Sequence, residues 1–345
     1  MLFRSIVAIV LFYFYVDPSL QGISRWRWGA DTVIYMDIAK GTFAGEELPA
    51  FSLNSNTFGP VLISTLLGNN TVLIALFNYG LFLGSCFLLF KTKDIDKTKL
   101  FILLTLSPML LVSIVTLSKE IIAFFTISLL IYFQGKKLEI YKLLLIIIIA
   151  VLVRWQMIAV LLIFIILKTY VPNNVRARTI SILLLAVLVS IIYPSISKVI
   201  QLDEALSVDS YTSQSESNSG LIYVLNSLQN NYMLFLSFIP KSIMNLIANP
   251  SKLIDVQSQS YDWNYVDAYN DLVVPAQGFV QAIILFLAVK NSGISLAREN
   301  QYFVAIYCII FSLSPFIQTR YFFPIYPILC LEASLRKQPS DSNST

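Results

Sequence analysis

The 345-residue chain contains no histidine. That absence removes the commonest general base, the commonest zinc ligand and every Ser-His or Cys-His nucleophile pair. Any proton transfer must therefore run through Asp, Glu, Lys, Arg or Tyr. Charge is scarce too: 13% of residues are charged, against roughly a quarter in a soluble domain. Hydrophobic residues make up 57% and the mean hydropathy is +0.72, and no stretch stays polar long enough to build a soluble domain. Cysteine is rare, and Cys86, Cys308 and Cys330 lie far apart inside apolar runs. Such spacing fits neither a disulfide framework nor a zinc pattern and marks them as packing residues. No cofactor or metal set is indicated. The net charge of +4 is spread through loops and not patched among aromatics, which argues against nucleic acid as a partner.

What is present is a series of apolar runs, near residues 2–16, 71–90, 100–117, 121–134, 143–153, 155–167, 179–194, 276–289, 301–316 and 321–335. They predict an all-α polytopic membrane protein of about ten transmembrane helices. Residues 1–337 form a single transmembrane domain, with outer loops at about 17–70 and 195–275, and 338–345 form a disordered tail. Several runs are shorter than the roughly 20 residues that cross a bilayer core, so tilted or recessed helices are expected. The run at 2–16 is read as a first span, since no small-x-small cleavage site follows it before Trp26.

Three longer apolar stretches are interrupted by charge. Lys119 and Glu120 break 100–134, Arg154 breaks 143–167, and Arg320 breaks 301–335. The first and third each contain 35 residues, about 52 Å as straight helix, too long for one crossing. A hairpin with the charge at its outer tip suits all three. For the middle stretch the flanks decide it, because Lys136, Lys137 and Lys142 on one side and Lys168, Arg176 and Arg178 on the other all favour the cytoplasm. With both termini inside, 15 of the 24 basic and 6 of the 20 acidic residues fall on the inner face, a balance of +9. The outer face, with 9 basic and 14 acidic residues, carries −5. This is the asymmetry the positive-inside rule requires.

Within the second outer loop, Asp203 to Gly220 is Ser-rich and acidic, and Tyr232 to Ala248, apolar around Pro240 and Lys241, reads as an interfacial segment. Asp255 to Asp271 alternates acids with aromatics around Trp263, which suits stacking on sugar faces or an aromatic belt. Asp94-Ile-Asp96 imitates a nucleotide-sugar metal motif but sits in a Lys-rich loop and reads as solvated.

The outer face gathers Arg25, Arg27, Asp31, Asp37, Lys119, Glu120, Arg154 and Arg320 near helix ends. Ionisable groups at membrane depth are costly unless they pair or line a wet cavity. Arg presents a planar fork to phosphate oxygens and Lys a point charge. A sugar linked to a polyprenyl phosphate offers that anion at headgroup depth, and a carboxylate would take the acceptor hydroxyl's proton. Asp31 and Asp37 are the candidates, in a short helix expected to begin near Asp31, where the helix dipole favours the charged form.

Arg27-Trp-Gly29-Ala-Asp31-Thr-Val-Ile-Tyr35, Ser118-Lys119-Glu120, Arg154-Trp-Gln156 and Thr319-Arg320-Tyr321 with Pro324 and Pro327 resemble the pattern of polysaccharide polymerases of the Wzy and EpsG type. They also resemble the wider GT-C class of membrane glycosyltransferases. The resemblance implies Asp31 as catalytic base with Asp37 second, and Arg154 and Arg320 as holders of a lipid diphosphate. Arg27, Tyr35, Lys119, Glu120, Gln156, Tyr321 and Trp263 join them as substrate-binding candidates. The loop departs from the polymerase pattern in reading Gly29-Ala30-Asp31, where Gly-Thr-Asp is commoner. The implied activity is polymerisation of polyprenyl-diphosphate-linked O-antigen or capsule units at the outer face of a bacterial cytoplasmic membrane, beside polysaccharide assembly partners. The alternatives are a GT-C transferase using a polyprenyl-phosphate sugar donor, and a non-enzymatic transporter or flippase for lipid-linked sugars. O-antigen ligases and membrane-bound O-acyltransferases share the broad architecture but depend on a histidine.

The topology is testable by cysteine labelling in intact cells. Cysteines introduced at Asn70, Gly220 and Trp263 are expected to react with a membrane-impermeant maleimide, and those at Asp96, Lys136 and Asn291 are not; labelling at Asp96 would overturn the assignment.

Overall fold

The computed structural model describes residues 30–43, 46–47, 57–92, 94–134, 140–205, 221–247, 272–314 and 319–336. Arg27, Trp263, the run at 2–16 and the aromatic-acidic segment lie outside them. The described residues are helical apart from a two-residue antiparallel pair, Thr42–Phe43 with Glu46–Glu47. In chain order the helices are α1 (Ala30–Ala39), α2 (Phe58–Leu66), α3 (Thr71–Phe90), α4 (Lys97–Thr105), α5 (Pro108–Val115), α6 (Lys119–Gln134) and α7 (Ile140–Val151). There follow α8 (Trp155–Tyr170), α9 (Val175–Ala205), α10 (Leu221–Asn230), α11 (Leu234–Ile247), α12 (Val274–Ser292) and α13 (Glu299–Phe311). A 3-10 helix, Thr319–Ile325, leads into α14 (Tyr326–Ala333).

Local chemistry sets many of the boundaries. The Asn70 side chain accepts from Val72 and Leu73 N–H at 3.0 and 3.1 Å and starts α3. Asp96 does the same for α4 through Lys99 N–H at 3.0 Å, so Asp94-Ile-Asp96 has a structural role. Ser107 caps α5, with Pro108 supplying the fixed φ of its first turn. Gly293, at φ 67°, ends α12 in a conformation costly for any other residue type.

Helices α3, α12 and the Val175–Ser195 part of α9 are long and apolar enough to cross a membrane. A fourth such segment, α4 with α5, is bent by 71° at the Leu106-Ser107 break. Their outward sides carry Leu76, Phe87, Leu184, Ile191, Phe279 and Phe286, all exposed. So broad an apolar belt needs lipid, not water, around it. Ten spans are not reached by length and composition among the described residues, because α7, α8 and α11 are apolar but short. Helix α6 sits at the centre, against α3, α5, α7, α14 and the 3-10 helix, and is buried nearly all round.

The three interrupted stretches fold back on themselves. At one end of the bundle, Lys91 lies over the rings of Phe87 and Tyr132, and Lys142 over that of Phe133. Ile95 bridges Leu335, and Arg298, Asn300 and Gln301 all reach the Glu332 carboxylate. Lys168 pairs with Glu299 at 2.7 Å, and Arg178 donates to the carbonyls of Leu296 and Ala297. The starts and finishes of all three stretches therefore meet at this root end. Their interrupting charges lie together at the opposite end, a separation of about 24 Å given the 16 residues of α6.

Helix α11 corrects the expectation of an interfacial segment. Ser237, Lys241, Ser242 and Asn245 form a buried polar stripe, and α11 packs against α9, α10, α12, α13 and the 3-10 helix. Amphipathicity alone cannot distinguish a headgroup-facing polar side from one turned onto other helices.

Helix α2 rests on the turn before α8. A Cβ at Gly59 would lie 1.8 Å from the Leu152 carbonyl oxygen, so α2 can approach this closely only at glycine. Gly59→Ala is expected to lower stability by about 1–3 kcal/mol through overpacking, read as a fall in the unfolding midpoint of detergent-solubilised protein. An unchanged midpoint would mean that α2 is free to move off the turn.

Candidate functional site

Each tip is delivered by a helix break. The segment before α6 is fixed by Asn78 of α3, whose Nδ2 donates to the carbonyls of Ser113 and Thr116 at 3.2 and 2.7 Å, so that α6 opens on Lys119-Glu120. Arg154 is the extended residue between α7 and α8. Arg320 lies in the 3-10 helix, whose Tyr321 carbonyl accepts from the Tyr307 hydroxyl at 2.5 Å and whose Phe322 carbonyl accepts from Gln281 at 3.3 Å. A ladder of rings lies beneath: Tyr307 stacks on Phe311 at 4.1 Å between centroids and meets Phe322 edge-on, while Phe124 and Tyr326 both stack with Phe323.

The tips meet in a small cavity lined by Lys119, Glu120, Arg154, Met157, Arg320 and Tyr321. A second small cavity adjoins it across Arg154, Phe311 and Tyr321 and is lined further by Trp155, Gln156, Leu313 and Ser314. Both guanidinium groups lie over the Tyr321 ring, Arg154 at 4.3 Å and Arg320 at 5.7 Å from its centroid. This cation–π contact engages the flat face of a guanidinium. The edge of Arg154 carries N–H donors with no hydrogen bond among the described residues.

The polar side chains here depart from normal bookkeeping. Buried polar groups have a hydrogen-bond partner in roughly 90% of cases or more. Arg154, Glu120 and Gln156 are 8, 5 and 7% exposed, yet among the described residues none of their side chains has a hydrogen bond or ion pair, and the Gln156 Oε1 is fully enclosed. Leaving an enclosed acceptor such as the Gln156 Oε1 unsatisfied costs about 1–3 kcal/mol, and it marks a polar surface shaped for something other than this chain.

Six of the sequence-derived candidates line the cavities, Lys119, Glu120, Arg154, Arg320 and Tyr321 the first and Arg154, Gln156 and Tyr321 the second, whereas Tyr35 is buried in the core and lines neither. Asp31 stands in the first turn of α1, and α1 touches the Lys119 tip through the Thr32 hydroxyl, 3.5 Å from the Leu117 carbonyl. The Asp31 side chain lies outside the described residues, as do Arg27 and Trp263. Asp37 is half-exposed, 3.9 Å from Lys40, and lines neither cavity. Among the described residues no group of three or more His, Cys, Asp or Glu gathers in metal-ligand fashion.

Sequence reasoning passed over the second cavity's support. Lys241 is fully buried, and its ammonium donates to Gln229 Oε1 and to the carbonyls of Ser312 and Ser314 at 3.4 and 3.1 Å. Gln229 Nε2 holds the Leu313 carbonyl between them at 2.7 Å. The signal was present: a lone lysine inside an apolar run is expensive at membrane depth unless it is used. No family model matches the chain, and no curated protein or solved structure matches it.

Lys241→Met should strand two carbonyls and the Gln229 Oε1 in the interior. Breaking a buried charged network typically costs about 3–5 kcal/mol, so a fall of many degrees in thermal midpoint is expected, and a midpoint within a degree of the parent would show the ammonium to be dispensable.

Proposed function

We propose that the protein is a membrane glycosyltransferase acting on polyprenyl-diphosphate-linked oligosaccharide, joining units of an O-antigen or capsule at the outer face of a bacterial cytoplasmic membrane. The observation that carries the reading is the polar site in apolar walls where Lys119, Arg154 and Arg320 gather with Glu120 and with Gln156, whose buried Oε1 has no hydrogen bond among the described residues. Such a set suits a ligand that is anionic at one end and hydroxylated at the other. The stacked Arg154 offers its edge to phosphate oxygens bidentately, and Lys119 and Arg320 add charge where solvent screening is weak.

In the reaction an acceptor hydroxyl oxygen attacks the anomeric carbon, and the bond from that carbon to phosphate oxygen breaks. The diphosphate departs with the electron pair, and the cationic groups stabilise the charge that develops there. The acceptor proton passes to a carboxylate. Asp31 is the assigned base, since α1 abuts the Lys119 tip, whereas Asp37 is committed to a surface pair with Lys40. Glu120 borders the leaving group's cationic lobe and balances its charge.

The test is polymer length in membranes holding equal amounts of each variant. Arg154→Lys and Arg320→Lys keep charge but lose the planar fork and are expected to shorten or abolish the ladder. Asp31→Asn is expected to lower turnover on the order of a hundred- to ten-thousand-fold, with single-unit lipid-linked product retained. Activity lost in Glu120→Gln but kept in Asp31→Asn would move the base to Glu120. Full activity in all four variants would remove the enzyme reading and leave lipid-linked sugar transport in its place.

A further inference from the structure

The root end is rich in positive charge: the stretches 91–99 and 136–142 together hold seven lysines against three acids. Several cations of this end are spent within the chain, Lys168 on Glu299, Arg298 on Glu332 and Arg178 on two carbonyls. Lys91 and Lys142 are set against rings. The Lys91 ammonium lies 4.1 Å from the Phe87 ring centroid and 5.8 Å from that of Tyr132, and the Lys142 ammonium lies 5.8 Å from Phe133 and 5.4 Å from Tyr141. Tyr132 and Phe133 are neighbours in the last turn of α6, with 5.4 Å between their centroids, so one aromatic pair meets both lysines. We infer that this end of α3, α6 and α7 is a docking site for an anionic phospholipid, with Lys91 and Lys142 holding its phosphate.

Depth, charge and surface point the same way. Lys91 stands one residue beyond α3, an apolar helix of 20 residues and long enough to span, which puts its ammonium at headgroup level. Lys142 lies in the first turn of α7. An ammonium has three N–H donors, and a ring face engages one side of it. The Lys91 ammonium has no hydrogen bond or ion pair among the described residues. From the lysines, exposed apolar side chains run toward the middle of the bundle, Phe87 and Leu83 on α3 and Leu144, Leu145 and Ile148 on α7. Their spacing of three and four residues keeps each row on one helix face, and the two rows offer acyl chains a path below the phosphate. A zwitterionic headgroup would bring its own cation up to two lysines. An anionic one brings none, and juxtamembrane lysines draw anionic lipids for that reason. The site lies at the far end of the molecule from the tip cavities and does not depend on the reaction assigned to them.

Full-length protein in a neutral detergent is mixed with equal amounts of dioleoyl phosphatidylglycerol and dioleoyl phosphatidylcholine, and the lipid retained is counted by native mass spectrometry. The parent is expected to keep phosphatidylglycerol over phosphatidylcholine by at least about tenfold, since each lysine at such a surface is worth about fivefold. Lys91→Gln and Lys142→Gln should each lower that preference by about fivefold, and the double variant should abolish it. Lys91→Arg keeps the cation and should keep the preference. Lys290→Gln, in the last turn of α12, removes the same charge elsewhere and should leave the preference within about twofold. A parental thermal midpoint in lipid-free detergent shows that each variant is folded, and because Lys91 is exposed its two variants decide alone if Lys142→Gln proves unstable. Equal retention of the two lipids by the parent overturns the site. So does a preference that survives the loss of the lysines, or one that falls as far in Lys290→Gln, which would mark a diffuse surface charge in place of a site.

Discussion

A helix that stops inside an apolar bundle leaves backbone carbonyls with no water to satisfy them, and this one constraint organises the molecule. Near several breaks in the described chain a side chain from another element closes the gap. Asn78 serves the end of α5, Tyr326 reaches the Leu103 carbonyl near the end of α4, Lys241 and Gln229 serve the segment after α13, and Tyr307 and Gln281 hold the 3-10 helix. In a membrane such irregular backbone is tolerated only where protein or an aqueous cavity surrounds it. Breaks therefore collect together, and the side chains that close them become the rigid frame of whatever cavity forms there.

The same constraint explains why the charges lie where they do. An arginine placed within a continuous transmembrane helix costs roughly 2.5 to 3.5 kcal/mol on insertion scales. At a helix break it can reach a shared polar cavity instead. Lys119 opens a helix, Arg154 precedes one and Arg320 lies in a 3-10 turn, so none occupies the middle of a regular span. At the root end the charges are spent differently, in the Lys168–Glu299 and Arg298–Glu332 pairs and the Arg178 contacts to backbone. One end of the bundle uses its charges to hold the hairpins closed. At the other end they line the two cavities.

The hairpins were legible from the chain because a charge inside an apolar run of 35 residues allows few geometries, and the same reasoning put Lys119, Glu120, Arg154 and Arg320 at one end. The start of α1 near Asp31 was also readable. What escaped was the network beneath. Asn78, Gln229 and Gln281 are single amides in apolar surroundings, and no pattern in the sequence says which carbonyl 35 to 84 residues away each will meet, nor that Gln277 will accept from the Ser107 hydroxyl. Lys241 was assigned to the interface for the same reason: its partners, Ser312 and Ser314, belong to a distant break, and only the packing of α11 brings them to it. The division of the cavity into a charged and a neutral part was invisible as well, because it depends on where the Tyr321 ring comes to stand.

The contact between Gly59 and the Leu152 carbonyl has a mechanical side. With no side chain to act as a cushion, α2 bears directly on the backbone two residues before Arg154. Helix α2 also packs on α1, and α1 is hydrogen-bonded to the Lys119 tip. Force applied to α2 is thus transmitted to two of the three tips at once, while the root end, clamped by its ion pairs, serves as the fulcrum. A displacement of α2 therefore reaches the backbone beside Arg154 and, through α1, the Lys119 tip together.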